Sequence, residues 1–182
     1  MKKALLGIGF FLLVSCGEES TPKPNAQLRL EYPNATYGEL NSDCSFNFMV
    51  NDLAKIKSKQ PCTFEINYPK MKGTIYITYK NVNNNIDSLL RDAQKLTYDH
   101  VVKADEIITQ PYINKERKVY GMFSEVGGNA ATNAQFYVTD STKNFIYGSM
   151  YFYAKPNFDS ILPAASYIKD DIRKIIETVE WK

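Results

Sequence analysis

Apolar residues fall into three patterns along this chain: one unbroken run, eight short alternating segments and two stretches of helical spacing. Alternation at residues 28–32, 45–50, 63–68, 74–80, 106–109, 118–126, 134–139 and 145–153 predicts strands, because side chains two apart share a face. Residues 145–153 carry large apolar groups on both faces, among them Tyr147, Met150, Tyr151 and Phe152, which predicts a central strand covered on both sides. A first helix is expected to start among Asn83, Asn84 and Asn85, with Asp87 in its first turn and a buried stripe of Ile86, Leu89, Leu90, Ala93, Leu96, Val101 and Ala104. The second is capped by Asp159 or Ser160 and tolerates Pro163 early. Its stripe is Ile161, Ala165, Ile168, Ile172, Ile175, Ile176 and Val179. The sum is an α+β domain, a largely antiparallel sheet packed by two long helices, with a PsbP/Mog1-like αβα sandwich as the expected topology.

The unbroken run, residues 4–14, is too short for the roughly 20 residues that a helix needs to cross a bilayer. It follows Lys2 and Lys3 and ends at Leu13-Val14-Ser15-Cys16, the form of a lipoprotein signal. An ordinary signal has no use for a thiol at that point; a lipidated one does. Residues 1–15 are therefore expected to be removed and Cys16 acylated, leaving the chain anchored in a bacterial envelope membrane by two or more acyl chains. Residues 16–26 contain Pro22 and Pro24 and read as a lipidated tether. Glu18 and Glu19 fit a solvated linker better than a sorting tag. Residues 27–182 are long enough for one domain with a substantial core.

Charge narrows the partners. The chain has 22 Lys plus Arg and 20 Asp plus Glu; without Lys2 and Lys3 the exported part has 20 of each. No basic run along the sequence points to nucleic acid or to an anionic membrane surface. The 13 Tyr and 10 Phe favour a β-rich fold with large half-buried side chains.

Cys44 and Cys62 remain after the anchor, and in an exported chain an even pair is more often a disulfide than a site. Both head alternating segments, Cys44-Ser45-Phe46-Asn47-Phe48 and Cys62-Thr63-Phe64-Glu65-Ile66, so each cysteine is expected to face the core. Metal binding is a poor rival: two thiols and the single histidine do not complete a tetrahedral site.

Catalytic chemistry is thin. His100 falls on the apolar stripe of the first helix and reads as a hydrogen-bonded packing residue. No Gly-x-Ser-x-Gly elbow, dinucleotide fingerprint or phosphate loop is present. Asp92 with Asp99, and Asp170 with Asp171, are the available carboxylate pairs, and both follow polar helix faces expected to meet solvent. No catalytic residue, metal or cofactor is therefore expected. Gly127, Gly128 and Asn129 suit a hairpin turn, whose residues accept positive φ.

Several stretches together resemble a known family. Val126-Gly127-Gly128-Asn129-Ala130-Ala131-Thr132, Ala134-Gln135-Phe136-Tyr137-Val138-Thr139-Asp140-Ser141-Thr142-Lys143, Gly148-Ser149-Met150-Tyr151-Phe152, Tyr68-Pro69-Lys70 before Thr74-Ile75-Tyr76, and the final Val179-Glu180-Trp181-Lys182 are similar to the gliding motility lipoprotein GldD family of Bacteroidota. The resemblance implies a noncatalytic envelope lipoprotein required for gliding, facing the periplasm from the outer membrane and working with other gliding or type IX secretion proteins. It transfers no catalytic residues. Gly127, Gly128, Asn129, Ala130, Ala131 and Thr132 are the candidate partner contact. A second reading is an envelope module that binds a sugar or a lipid in an aromatic cleft between sheet and helix.

Overall fold

A computed structural model describes residues 32–98, 104–128, 130–153 and 158–182. Cys16, the tether, Asp99, His100, Val101 and Asn129 lie outside the described residues. In chain order the elements are β1 (Tyr37–Glu39), β2 (Phe46–Asn47), β3 (Met49–Asn51), β4 (Lys55–Gln60), β5 (Thr63–Tyr68), β6 (Gly73–Asn81), α1 (Ile86–Tyr98), β7 (Ile107–Asn114), β8 (Val119–Val126), β9 (Thr132–Thr139), β10 (Asn144–Phe152), α2 (Phe158–Thr178) and β11 (Glu180–Trp181).

Seven strands form one antiparallel sheet in the order β4-β5-β6-β10-β9-β8-β7, which puts β10 in the middle as its two-faced apolar pattern requires. The edges are guarded. Lys55, Lys57 and Lys59 occupy β4 and Pro111 sits in β7, both poor templates for further pairing. On one face, Ile168, Ile172, Ile175 and Ile176 of α2 pack with Ile66, Ile75, Ile77, Ile146 and Met150 of the sheet. Phe46, Phe48 and Val50 close this core from the N-terminal segment, where β1 pairs with β3 and β2 with β11.

The fold is α+β and mostly antiparallel, but several expectations are corrected. Tyr32 is outside any strand, and the first strand is β1. The expected strand at 45–50 is split into β2 and β3, each serving a different partner strand. Polar β4 went unseen because an exposed edge strand has no apolar face to betray it. Residues 109–114, plain in composition, extend β7. Helix α2 begins at Phe158, ahead of the expected cap, which moves Pro163 into its second turn.

The largest correction concerns α1, which ends at Tyr98 with Ala104 outside any element. Its stripe is not buried. Leu96 is 44% exposed and Tyr98 58%, Ile86, Leu89, Leu90 and Ala93 are half-buried, and Thr97 is the buried residue of the helix. The reason is how the helix docks. It lies over the second face of the sheet through its last turn, where Thr97 Oγ1 donates to Gln135 Oε1 at 2.9 Å and Gln135 Nε2 donates to the Leu96 carbonyl at 3.1 Å. The earlier turns leave their apolar residues only half covered.

Candidate functional site

Two cysteines expected to face the core do so. Cys44 and Cys62 form a disulfide with Cα atoms 5.6 Å apart, tying the segment before β2 to the start of β5. Phe46 and Phe64, two residues beyond each, meet edge to face with ring centres 6.3 Å apart. This staples the N-terminal segment to the sheet.

Asp170 and Asp171 do not behave as a pair. Asp170 is exposed and bonds Arg173 at 2.9 Å, whereas Asp171 is 1% exposed, contrary to the solvated face expected of it. Tyr37 donates its hydroxyl to Asp171 Oδ1 at 2.7 Å, and Asn51 donates Nδ2 to Oδ2 at 2.9 Å. Burial drives the Asp171 pKa up, and these donors, favouring the charged form, return only part of that shift. Tyr68 is buried beside the same carboxylate, and burial and the charge of Asp171 raise its pKa strongly. Tyr167 extends the cluster to the Pro33 carbonyl at 3.1 Å. Sequence spacing placed Asp171 beside solvated Asp170; its polar partners come from β1, β3 and β5, invisible to helical periodicity. Asp92 on α1 is exposed.

The loop from Gly127 to Thr132 is largely folded in. Gly127 exchanges backbone hydrogen bonds with Asp105 and Glu106, at 3.2 and 2.8 Å. Gly128 adopts φ +81°, and a Cβ there would meet Asp105 at 2.7 Å, so both conformation and space call for glycine. Ala130 and Thr132 are buried; Ala131 is exposed.

The hairpin joining β9 to β10 is built by polar residues. Asp140 Oδ1 accepts from the amides of Thr142, Lys143 and Asn144 at 2.8–2.9 Å, and Oδ2 accepts from Asn144 Nδ2 at 2.7 Å. Burial pushes the Asp140 pKa up, but the four hydrogen bonds outweigh it and leave the carboxyl below its ordinary range. Ser141 takes φ 68° at the bend.

Two hollows are further surface features of the described residues. The first lies beside the last turns of α1, a cleft of about 90 Å³ lined by Leu96, Thr97 and Tyr98 of the helix and by Tyr137, Tyr147 and Tyr151, with Ser124, Ser149 and Thr109 among them. No charged side chain lines it. Beside it Tyr76 and Tyr151 rings meet edge to face, and a hydrogen bond with Tyr153 pushes the Tyr76 pKa up to about 12. The second, about 250 Å³, lies where the described chain begins, lined by Tyr32, Pro33, Leu53, Tyr68 and Met71, with Lys55 and Lys70. Among the described residues, no group of three or more His, Cys, Asp or Glu is placed to hold a metal ion.

A sequence model of the gliding motility lipoprotein GldD family matches residues 17–181, nearly the whole chain. The chain belongs to that family. No curated protein matches it. GldD membership makes it a gliding-motility lipoprotein associated with the cell envelope, and among the described residues no helix is long and apolar enough to cross a membrane. The stretch of residues 134–143 that carries the GldD resemblance is, in the fold, strand β9 and the Asp140 hairpin.

Proposed function

We propose that the chain is a noncatalytic docking lipoprotein, anchored through acylated Cys16 in the outer membrane and facing the periplasm, which binds other gliding or type IX secretion proteins. The observation that carries this reading is the tyrosine-rich second face of the sheet, which α1 covers only in part. Tyrosine combines a large apolar ring with a hydroxyl and is enriched where proteins meet. Exposed Ala131 lies beside Thr132, which pairs with Tyr151 at the end of this face, so the loop of residues 127–132 would form the rim of the contact. A helix on each face of the sheet also fits the PsbP/Mog1-like sandwich, with one layer incomplete. Against hydrolysis by carboxylates, both oxygens of Asp171 are engaged away from solvent. Photocross-linking in living cells from Tyr98, Tyr151 and Ala131 is expected to trap a gliding or secretion component. Cross-links confined to abundant unrelated envelope proteins would overturn the reading.

The second reading, a ligand module, is favoured by the same cleft, since rings with hydroxyls and no charge suit an uncharged sugar. Calorimetric titration with neutral oligosaccharides, repeated with Tyr147→Ala, separates the two.

A further inference from the structure

A lysine-rich stretch of the sequence forms one edge of the fold. Residues 52–72 hold five of the 20 basic residues of the exported chain and two of its 20 acids, Asp52 and Glu65, leaving 15 basic against 18 acidic residues elsewhere. The exported chain is neutral as a whole but polarised. Lys55, Lys57 and Lys59 run along edge strand β4, and the β5–β6 turn places Lys70 and Lys72 at the Lys55 end of that strand, because Lys55 pairs with Asn67 and Tyr68 with Gly73. Lys59 pairs with Glu65 at 3.5 Å, whereas Lys55, Lys57, Lys70 and Lys72 are exposed and unpaired among the described residues. Exposed apolar side chains share this edge: Leu53 is 45% and Ile56 43% exposed, Ile56 projecting from the α2 side of β4 and Lys55 and Lys57 from the other. Lys55 and Lys70 flank the 250 Å³ hollow, and its other lining includes Tyr32 and Pro33, the first residues of the described chain.

Tyr32 lies sixteen positions after Cys16, a reach of no more than about 55 Å even fully extended. The anchor therefore keeps the domain within that distance of a bilayer, and the side on which the described chain begins is basic, with exposed apolar groups on the same edge. We infer that this β4 edge and the adjoining β5–β6 turn dock on anionic phospholipid headgroups, setting the domain edge-on to its membrane. The inference rests on the reading of Cys16 as the anchor. Lysines attract a negatively charged leaflet, the exposed Leu53 and Ile56 enter the headgroup region, and tethering makes a weak contact effective by raising local concentration.

The test uses the lipidated chain on vesicles, with a polarity-sensitive fluorophore on Leu53→Cys and, separately, on Ile113→Cys of the far edge strand. Vesicles of phosphatidylethanolamine with phosphatidylglycerol are expected to shift the Leu53 probe to the blue, and purely zwitterionic vesicles to leave it as in water. High salt or Lys55→Glu with Lys70→Glu should reduce the shifted fraction about tenfold. The Ile113 probe should not respond. Equal shifts on both lipids, or at both probes, overturn the inference while the chain still floats with the vesicles. A chain that carries no lipid refutes the anchor instead; the same probe is then read with excess anionic vesicles, where an unshifted Leu53 probe overturns the docking face too.

Discussion

Tyr37 and Asp171 lie 134 positions apart, yet the tyrosine hydroxyl donates a 2.7 Å hydrogen bond to the buried aspartate. With Asn51, this contact fastens the β1–β3 ribbon to α2. Asp171→Ala leaves the half-buried Tyr37 hydroxyl without its acceptor and removes one of the two acceptors of Asn51 Nδ2, an expected loss of about 1–3 kcal/mol, measured by urea unfolding. Asp171→Asn keeps an acceptor for Tyr37 and should lose less.

Two aspartates are expected to act on pH stability with opposite sign. Since burial raises the Asp171 pKa, the native state holds that proton more tightly, so this group lowers stability as pH rises through and above the ordinary carboxylate range. Asp140 has a lowered pKa; its contribution is present above the ordinary carboxylate pKa and disappears as pH falls through the native value. Unfolding measured from pH 2 to 7 should show Asp140→Asn losing stability at neutral pH and converging with wild type in acid. Divergence in acid would contradict it.

Removing the disulfide by Cys44→Ala with Cys62→Ala releases an 18-residue loop and is expected to cost about 3 kcal/mol. At roughly 2–4 °C per kcal/mol for a domain of this size, Tm should fall by about 6–12 °C in a thermal scan. Free thiols in the purified protein, read by mass before and after reduction, would contradict the bridge.

The docking of α1 hangs on its last turn. Gln135→Leu removes both side-chain bonds to Thr97 and Leu96, and hydrogen exchange across α1 should rise while that of β6 and β10 is unchanged. Uniformly raised exchange would mean that α1 is part of the core.

How much of this was legible depended on burial pattern. Phe64, Ile66 and Tyr68 alternate with polar residues and the strand appears at its expected bounds; β10 announced its central place by apolar groups on both faces. The cysteine pair was readable because each cysteine continues such an alternation. Leu96 misled, since a helical stripe shows what is able to bury and not how closely the helix is held. Asp171 was hidden because its partners, Tyr37 and Asn51, reach it from segments more than a hundred positions away.

The central claim is that membrane attachment at Cys16 makes this domain useful to gliding cells. Replacing the chromosomal copy with Cys16→Ala, then following fractionation and colony spreading together, tests it most directly. The expected result is a disulfide-bonded protein missing from the membrane fraction and colonies that no longer spread. Colonies spreading like wild type with an unacylated protein would contradict it.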